Sequence, residues 1–217
     1  PENPDWQHFS FCLFAGPVTR DETGLRAGAA VAIQPGKVDR SPTGTALCAR
    51  MALLHGQFAA CVLALMGSVA LVTGRRWQTV SGQHPTTPST RLRTLAWSLP
   101  AVVLVQGALG GWIRHLGGGL FEHVGFALAV FVLAVAVAVL ALRDGANWLK
   151  ANAWILAVVL LLQVGLGAAA WITRFGWPSS GYVAVQGAPL QVVMRTAHAV
   201  TGQLLLLTSL TLAVRVL

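Results

Sequence analysis

The stretch HVGFALAVFVLAVAVAVLAL, residues 123–142, carries no charge, and its reading decides the fold. A helix rising 1.5 Å per residue needs about 20 such residues to cross a hydrocarbon core of about 30 Å. Four further charge-free blocks of similar length follow the same rule, at 51–73, 94–113, 151–173 and 196–214. The whole chain is 55% hydrophobic and only 10% charged, with a mean hydropathy of +0.65, outside the range of ordinary soluble domains. In lipid every backbone donor and acceptor must find its partner within the segment, so five such blocks imply an all-α integral membrane protein, a polytopic transmembrane helical bundle. Residues 8–19 form a shorter apolar stretch interrupted by Gly16 and Pro17. They read as the stub of a sixth helix, giving five to six spans. Pro1 in place of Met, and an end at Leu217 directly against an apolar helix, read as loss of at least the N-terminal end.

Orientation follows from the basic residues. The connection 74–93 carries Arg75, Arg76, Arg91 and Arg93 with no acid, the connection 143–150 carries Arg143 and Lys150 with Asp144, and Arg215 ends the last block. The positive-inside rule assigns these to the cytoplasm, in keeping with a bacterial inner membrane, and sends the connections 114–122 and 174–195 outward. Trp112, Trp171 and Trp177 stand near the outer ends as interfacial anchors. The net charge of +8 then expresses topology and contact with anionic lipid, with no nucleic-acid partner.

In this orientation His55, His123 and His198 all lie near outer helix ends at similar depth, as candidate metal ligands. A membrane haem needs two imidazoles from different helices facing each other, and His55 with His123 meets that demand on paper. The bland reading of any one of them is an interfacial histidine bonded to water or a carbonyl. Three at one depth shift the balance toward function, because ionisable groups in a span are costly. Glu122 beside His123 is already favoured by the dipole of the helix it opens.

An internal repeat supports the histidine reading. The run 106–111, QGALGG, recurs at 163–168 as QVGLGA, and in both copies a tryptophan, an isoleucine and an arginine follow (Trp112, Ile113, Arg114; Trp171, Ile172, Arg174). Each copy precedes an outer connection and then a histidine helix, so the fold is built from repeated helix pairs. Residues 14–20, FAGPVTR, read as a worn third copy. The small residues allow close helix approach or room for a flat ligand. Arg114 and Arg174 are candidate cofactor-binding cations, against the alternative of snorkelling at the interface. The expected domains are 1–43, a truncated first helix and outer loop; 44–143, an N-terminal haem-binding bundle; and 144–217, a partial C-terminal half-bundle. Cys12, Cys48 and Cys61 include no pair at metal-binding spacing; Cys12 and Cys48 lie where they could bridge, and Cys61 reads as packing.

Taken together, residues 54–59 (LHGQFA), 106–111, His123, 163–177 and 196–198 (TAH), with Val18, Thr19, Arg20, Gly24 and Leu25, resemble the haem A synthases, the cytochrome oxidase assembly proteins, over most of the chain from Phe14 onward. That resemblance implies a membrane enzyme oxidising the C8 methyl of haem O to the formyl of haem A. It implies haem B and haem O or A as cofactors, with His55 and His123 holding one haem and His198 a second with a later histidine. It leaves the catalytic acid unassigned. The implied partners are haem O, membrane lipid, cytochrome oxidase assembly proteins and further copies of the chain. Two alternatives stay open: a bis-histidine haem B electron carrier, and a non-enzymatic membrane assembly factor. No phosphate loop, serine nucleophile elbow or helical zinc motif is present.

Overall fold

The structure, a computed structural model, describes residues 11–21, 24–33, 37–39, 44–75, 88–143 and 147–216. The chain divides into two compact units, Pro1–Ala52 and Leu53–Leu217.

The first unit contains a three-stranded antiparallel meander: β1 (Phe11–Asp21), β2 (Gly24–Ile33) and β3 (Lys37–Asp39), in the order β1-β2-β3. The expected helical stub at 8–19 is therefore a strand over its described part, and the proposed third helical copy at 14–20 is strand as well. Gly16 and Pro17, read as interrupting a helix, sit where the register shifts. Ala15 faces Ala29 and Val18 faces Ala27, so β1 holds one extra residue. A bulge is where a strand tolerates proline, which has no N–H for the ladder. The strand then reverses between Asp21 and Gly24, which face each other in the register.

Five helices follow: α1 (Gly44–Thr73), α2 (Thr90–Leu116), α3 (Leu120–Arg143), α4 (Asn147–Phe175) and α5 (Pro189–Arg215). All five contain spans long and apolar enough to cross a membrane, which is the polytopic helical bundle expected from the charge-free blocks. The helices overrun those blocks at their ends because terminal Arg and Lys reach polar headgroups from within the last turn. Within the second unit α2, α3, α4 and α5 form a closed ring, each packing against the next and α5 returning to α2. The part of α1 from Leu53 onward lies outside this ring. Leu53 and Gln57 approach Gly111, Leu207 approaches Gly67, and Ala60 is buried. Cys61, expected to be packed, is an exposed free thiol.

A single seam holds the ring together. Buried residues recur at 92, 96, 99 and 103 on α2, at 130, 134, 137 and 141 on α3, at 149, 153, 156 and 160 on α4, and at 205, 209, 212 and 216 at the end of α5. Steps of four, three and four residues on all four elements are the seven-residue repeat of a helical bundle with interlocking side chains. Leu99, Val137, Leu156 and Leu212 are all fully buried on it. This tight apolar packing occupies the half of the ring toward the basic end.

Caps fix where α2 begins and ends. Ser89 accepts a hydrogen bond from Leu92 N–H at 3.3 Å to begin α2, and Gly117, at φ +75°, ends it in the left-handed region that glycine adopts without penalty. The connection between α4 and α5 is longer and is clasped by Gln191. The buried Gln191 amide donates to the Thr173 carbonyl at 3.0 Å and its oxygen accepts from Gly187 N–H at 3.0 Å. Gln191→Ala leaves the buried Thr173 carbonyl without its side-chain donor and releases the exposed Gly187 N–H to solvent, and the expected loss is about 1–3 kcal/mol, from the buried group. A lowered unfolding midpoint in detergent, together with faster proteolysis within 176–188, is the expected result.

Candidate functional site

Continued toward the other end of the ring, the same seam changes character. On α2 the positions after Val103 are Gln106 and Gly110; on α4 the positions after Leu160 are Gln163 and Gly167. On α3 the seam runs back from Val130 through Ala127 to His123, and on α5 from Leu205 through Gly202 to His198. The stripe thus carries mainly leucine, valine and alanine in one half and two histidines, two glutamines and three glycines in the other. The internal repeat places one glutamine, one glycine and one histidine from each helix pair on this stripe.

The elements that aim His123 are local. The Gly117–Gly119 turn closes α2 onto α3, with Trp112 packed beside Gly118 and Gly119, and His123 N–H bonds the Gly119 carbonyl at 2.9 Å. The imidazole therefore enters within the first turn of α3. His198 lies more than two turns into α5, whose first residue is Pro189, pre-set for helix by its fixed φ.

The two histidines face each other from α3 and α5, which are opposite members of the ring. Their ring centroids lie 6.3 Å apart with planes at 81°. Each is met by the glutamine of its own pair. The Gln106 side-chain amide lies 3.3 Å from His123 Nε2 and donates to the His123 carbonyl at 3.0 Å. The Gln163 amide lies 3.4 Å from His198 Nε2, and His198 Nδ1 lies 3.2 Å from the Gln163 carbonyl oxygen. An amide N–H can only donate and a carbonyl can only accept. His198 therefore carries its proton on Nδ1 and presents a lone pair at Nε2. The Nδ1 of His123 is buried without a hydrogen-bond partner, as are the Oε1 atoms of Gln106 and Gln163.

Glycine makes the close approach possible. A Cβ on Gly110 would stand 3.2 Å from His123 Cε1, and one on Gly167 would stand 3.1 Å from His198 Cε1. Both are tighter than ordinary van der Waals contact, so the imidazoles occupy space that any other residue would claim.

The pairing expected from the sequence is corrected here. His55 is exposed on α1, outside the closed ring and off its seam, so His123 faces His198 instead. Depth along a span is legible from spacing, whereas the identity of the facing helix is set by ring closure. Arg114 and Arg174 lie in the last turns of α2 and α4, Arg174 with its guanidinium 5.4 Å from the Phe175 ring centroid. Arg195, not singled out from the sequence, joins them within Coulombic range. Counting the seam back by three from His198 identifies it. Among the described residues no group of three or more His, Cys, Asp and Glu side chains gathers to hold a bare metal ion.

No solved structure matches the chain. A family profile described as proline racemase matches residues 1–65, under a third of the chain. This finding overturns the resemblance to the haem A synthases: the matched family is a different one, and its range takes in residues 14–25 and 54–59, two of the segments on which the resemblance was built. The implied oxidation of haem O to haem A falls with it, and the chain's first 65 residues are similar to proline racemase.

Proposed function

We propose that the α2–α5 ring is a membrane-embedded binding unit that holds one metal-centred group between His123 and His198, and that this group is a haem. The observation that carries the reading is the 6.3 Å separation of the two ring centroids. Metal–imidazole bonds of about 2.0–2.1 Å, with about 1.1 Å more from nitrogen to ring centre, put two imidazoles on opposite sides of one ion about 6.3 Å apart. Two protein ligands are too few for a bare structural ion, which takes four or more, but suffice for an iron that brings four equatorial nitrogens with it. The residues present fit such a group. The Nε2 of His198 presents its lone pair toward the Gln163 amide, which a metal would have to displace, its Nδ1–H is anchored on a backbone carbonyl in the manner that fixes ligand histidines, and Gly110 and Gly167 let both rings lie close against the neighbouring helices. The tight apolar seam ends below this level. When bound, the haem supplies a redox-active iron; the chain supplies its axial imidazoles and a lipid-shielded setting.

The charge distribution supports an orientation with the basic end at the cytoplasm and the histidine end outward, across a bacterial inner membrane and in contact with anionic lipid. Purified protein should show a low-spin haem spectrum with one haem per chain by pyridine haemochrome and iron analysis. Well-folded protein that takes up no haem, or that takes up two, contradicts the reading.

A further inference from the structure

Above the histidine pair the seam ends in positive charge. Arg174 stands on it, reached from Gly167 by steps of three and four, and Arg195 stands on it three residues before His198. Arg114 follows Gly110 by four residues on α2. The three come from three members of the ring, Arg174 and Arg195 half-buried and Arg114 exposed, and both Arg174 and Arg114 are close enough to act electrostatically on Arg195. Among the described residues none of the three forms an ion pair, and the sole described acid of the second unit is Glu122, exposed on α3. Three like charges brought together without a counter-ion raise each other's energy, and the cost falls when an anion sits among them. Snorkelling explains one arginine at a helix end, but it spreads cations outward to headgroups. Here two of them follow the inward seam.

We infer that Arg114, Arg174 and Arg195 form a receptor for carboxylate groups on the outer edge of whatever His123 and His198 ligate. The assignment rests on the reading of the histidine pair as a metal-ligating site and adds to it the chemistry of the ligand's rim: a group with metal at its centre and anionic substituents on one side. Guanidinium forks suit carboxylates in particular, because two parallel N–H donors meet two oxygens.

The test titrates detergent-solubilised protein with ferric haem, which carries two carboxylates, and with its dimethyl ester, which keeps the iron and loses both charges. Wild type is expected to bind the dicarboxylate at least tenfold more tightly. Arg195→Gln and Arg174→Gln should weaken the dicarboxylate tenfold or more and leave the ester unchanged, and Arg195→Lys should recover part of the loss. The ester control separates a lost ion pair from damaged folding, which would weaken both ligands. Equal binding of the two ligands by wild type, or equal weakening of both in the variants, overturns the arginine receptor while the histidine site stands. Wild type that binds neither overturns both.

Discussion

Replacing either His123 or His198 by alanine removes the whole haem signal, and replacing both removes no more. The expectation follows from the proposal that the two imidazoles, which face each other at 6.3 Å, share one centre: each substitution would delete one side of the same iron. Two independent sites would behave additively, each variant keeping about half the absorbance, whereas ligands of one site are coupled and their losses do not add. The reduced-minus-oxidised spectrum of the two single variants and the double variant reads this directly. His55→Ala serves as the comparison, because His55 is exposed on α1 away from the ring, and it should keep the full signal. A half-signal in either single variant, or loss of signal in His55→Ala, contradicts the shared centre.

Gly110→Val and Gly167→Val should weaken haem binding by about tenfold to a hundredfold while leaving the helices intact. A Cβ at these positions already stands 3.2 and 3.1 Å from the imidazole carbons. The two γ-methyls of valine add bulk where none fits, and overpacking of this kind costs about 1–3 kcal/mol. The discriminating comparison is Gly107→Val and Gly165→Val, on the same two helices, where an added Cβ meets nothing within 4 Å. All four substitutions exchange glycine for a better helix former, so a difference between the pairs isolates crowding of the imidazoles. Titration with haem, alongside circular dichroism of each variant, gives the result. Equal effects at all four positions contradict the close-approach role of Gly110 and Gly167.

Much of this architecture is legible in the residues. Charge-free blocks locate the five spans because charge in lipid is costly, and the repeated Gln-x-x-x-Gly at 106–110 and 163–167 marks the helices that flank the histidines. The seam was present as well. Counting in fours and threes from Leu99 reaches Gln106, from Leu156 reaches Gln163, and from Leu212 reaches His198 and then Arg195. What spacing along single helices does not show is which helices are neighbours. His55 and His123 match in apparent depth, yet closure of α2–α5 into a ring pairs His123 with His198 and leaves α1 outside. The first strand was misread for a local reason. Residues 11–15 are continuously apolar and lack the alternation that distinguishes a half-buried strand, and Gly16-Pro17 suits a broken helix as well as a bulge. The paired Asp21 and Gly24 around the reversal were the better signal.

Each helix pair contributes one imidazole, one carboxamide and a glycine packed against the imidazole, so the proposed centre would lie where the two copies meet. Carrying both helix pairs in one chain makes their encounter independent of concentration, which two separate pairs would not achieve. Once joined, the copies are free to diverge. The glutamine-to-histidine spacing is 17 residues in one and 35 in the other, and only His198 has its Nδ1 held by a carbonyl. A group bound between them therefore meets a more strongly donating nitrogen on one face than on the other, a polarity that no symmetric dimer can provide.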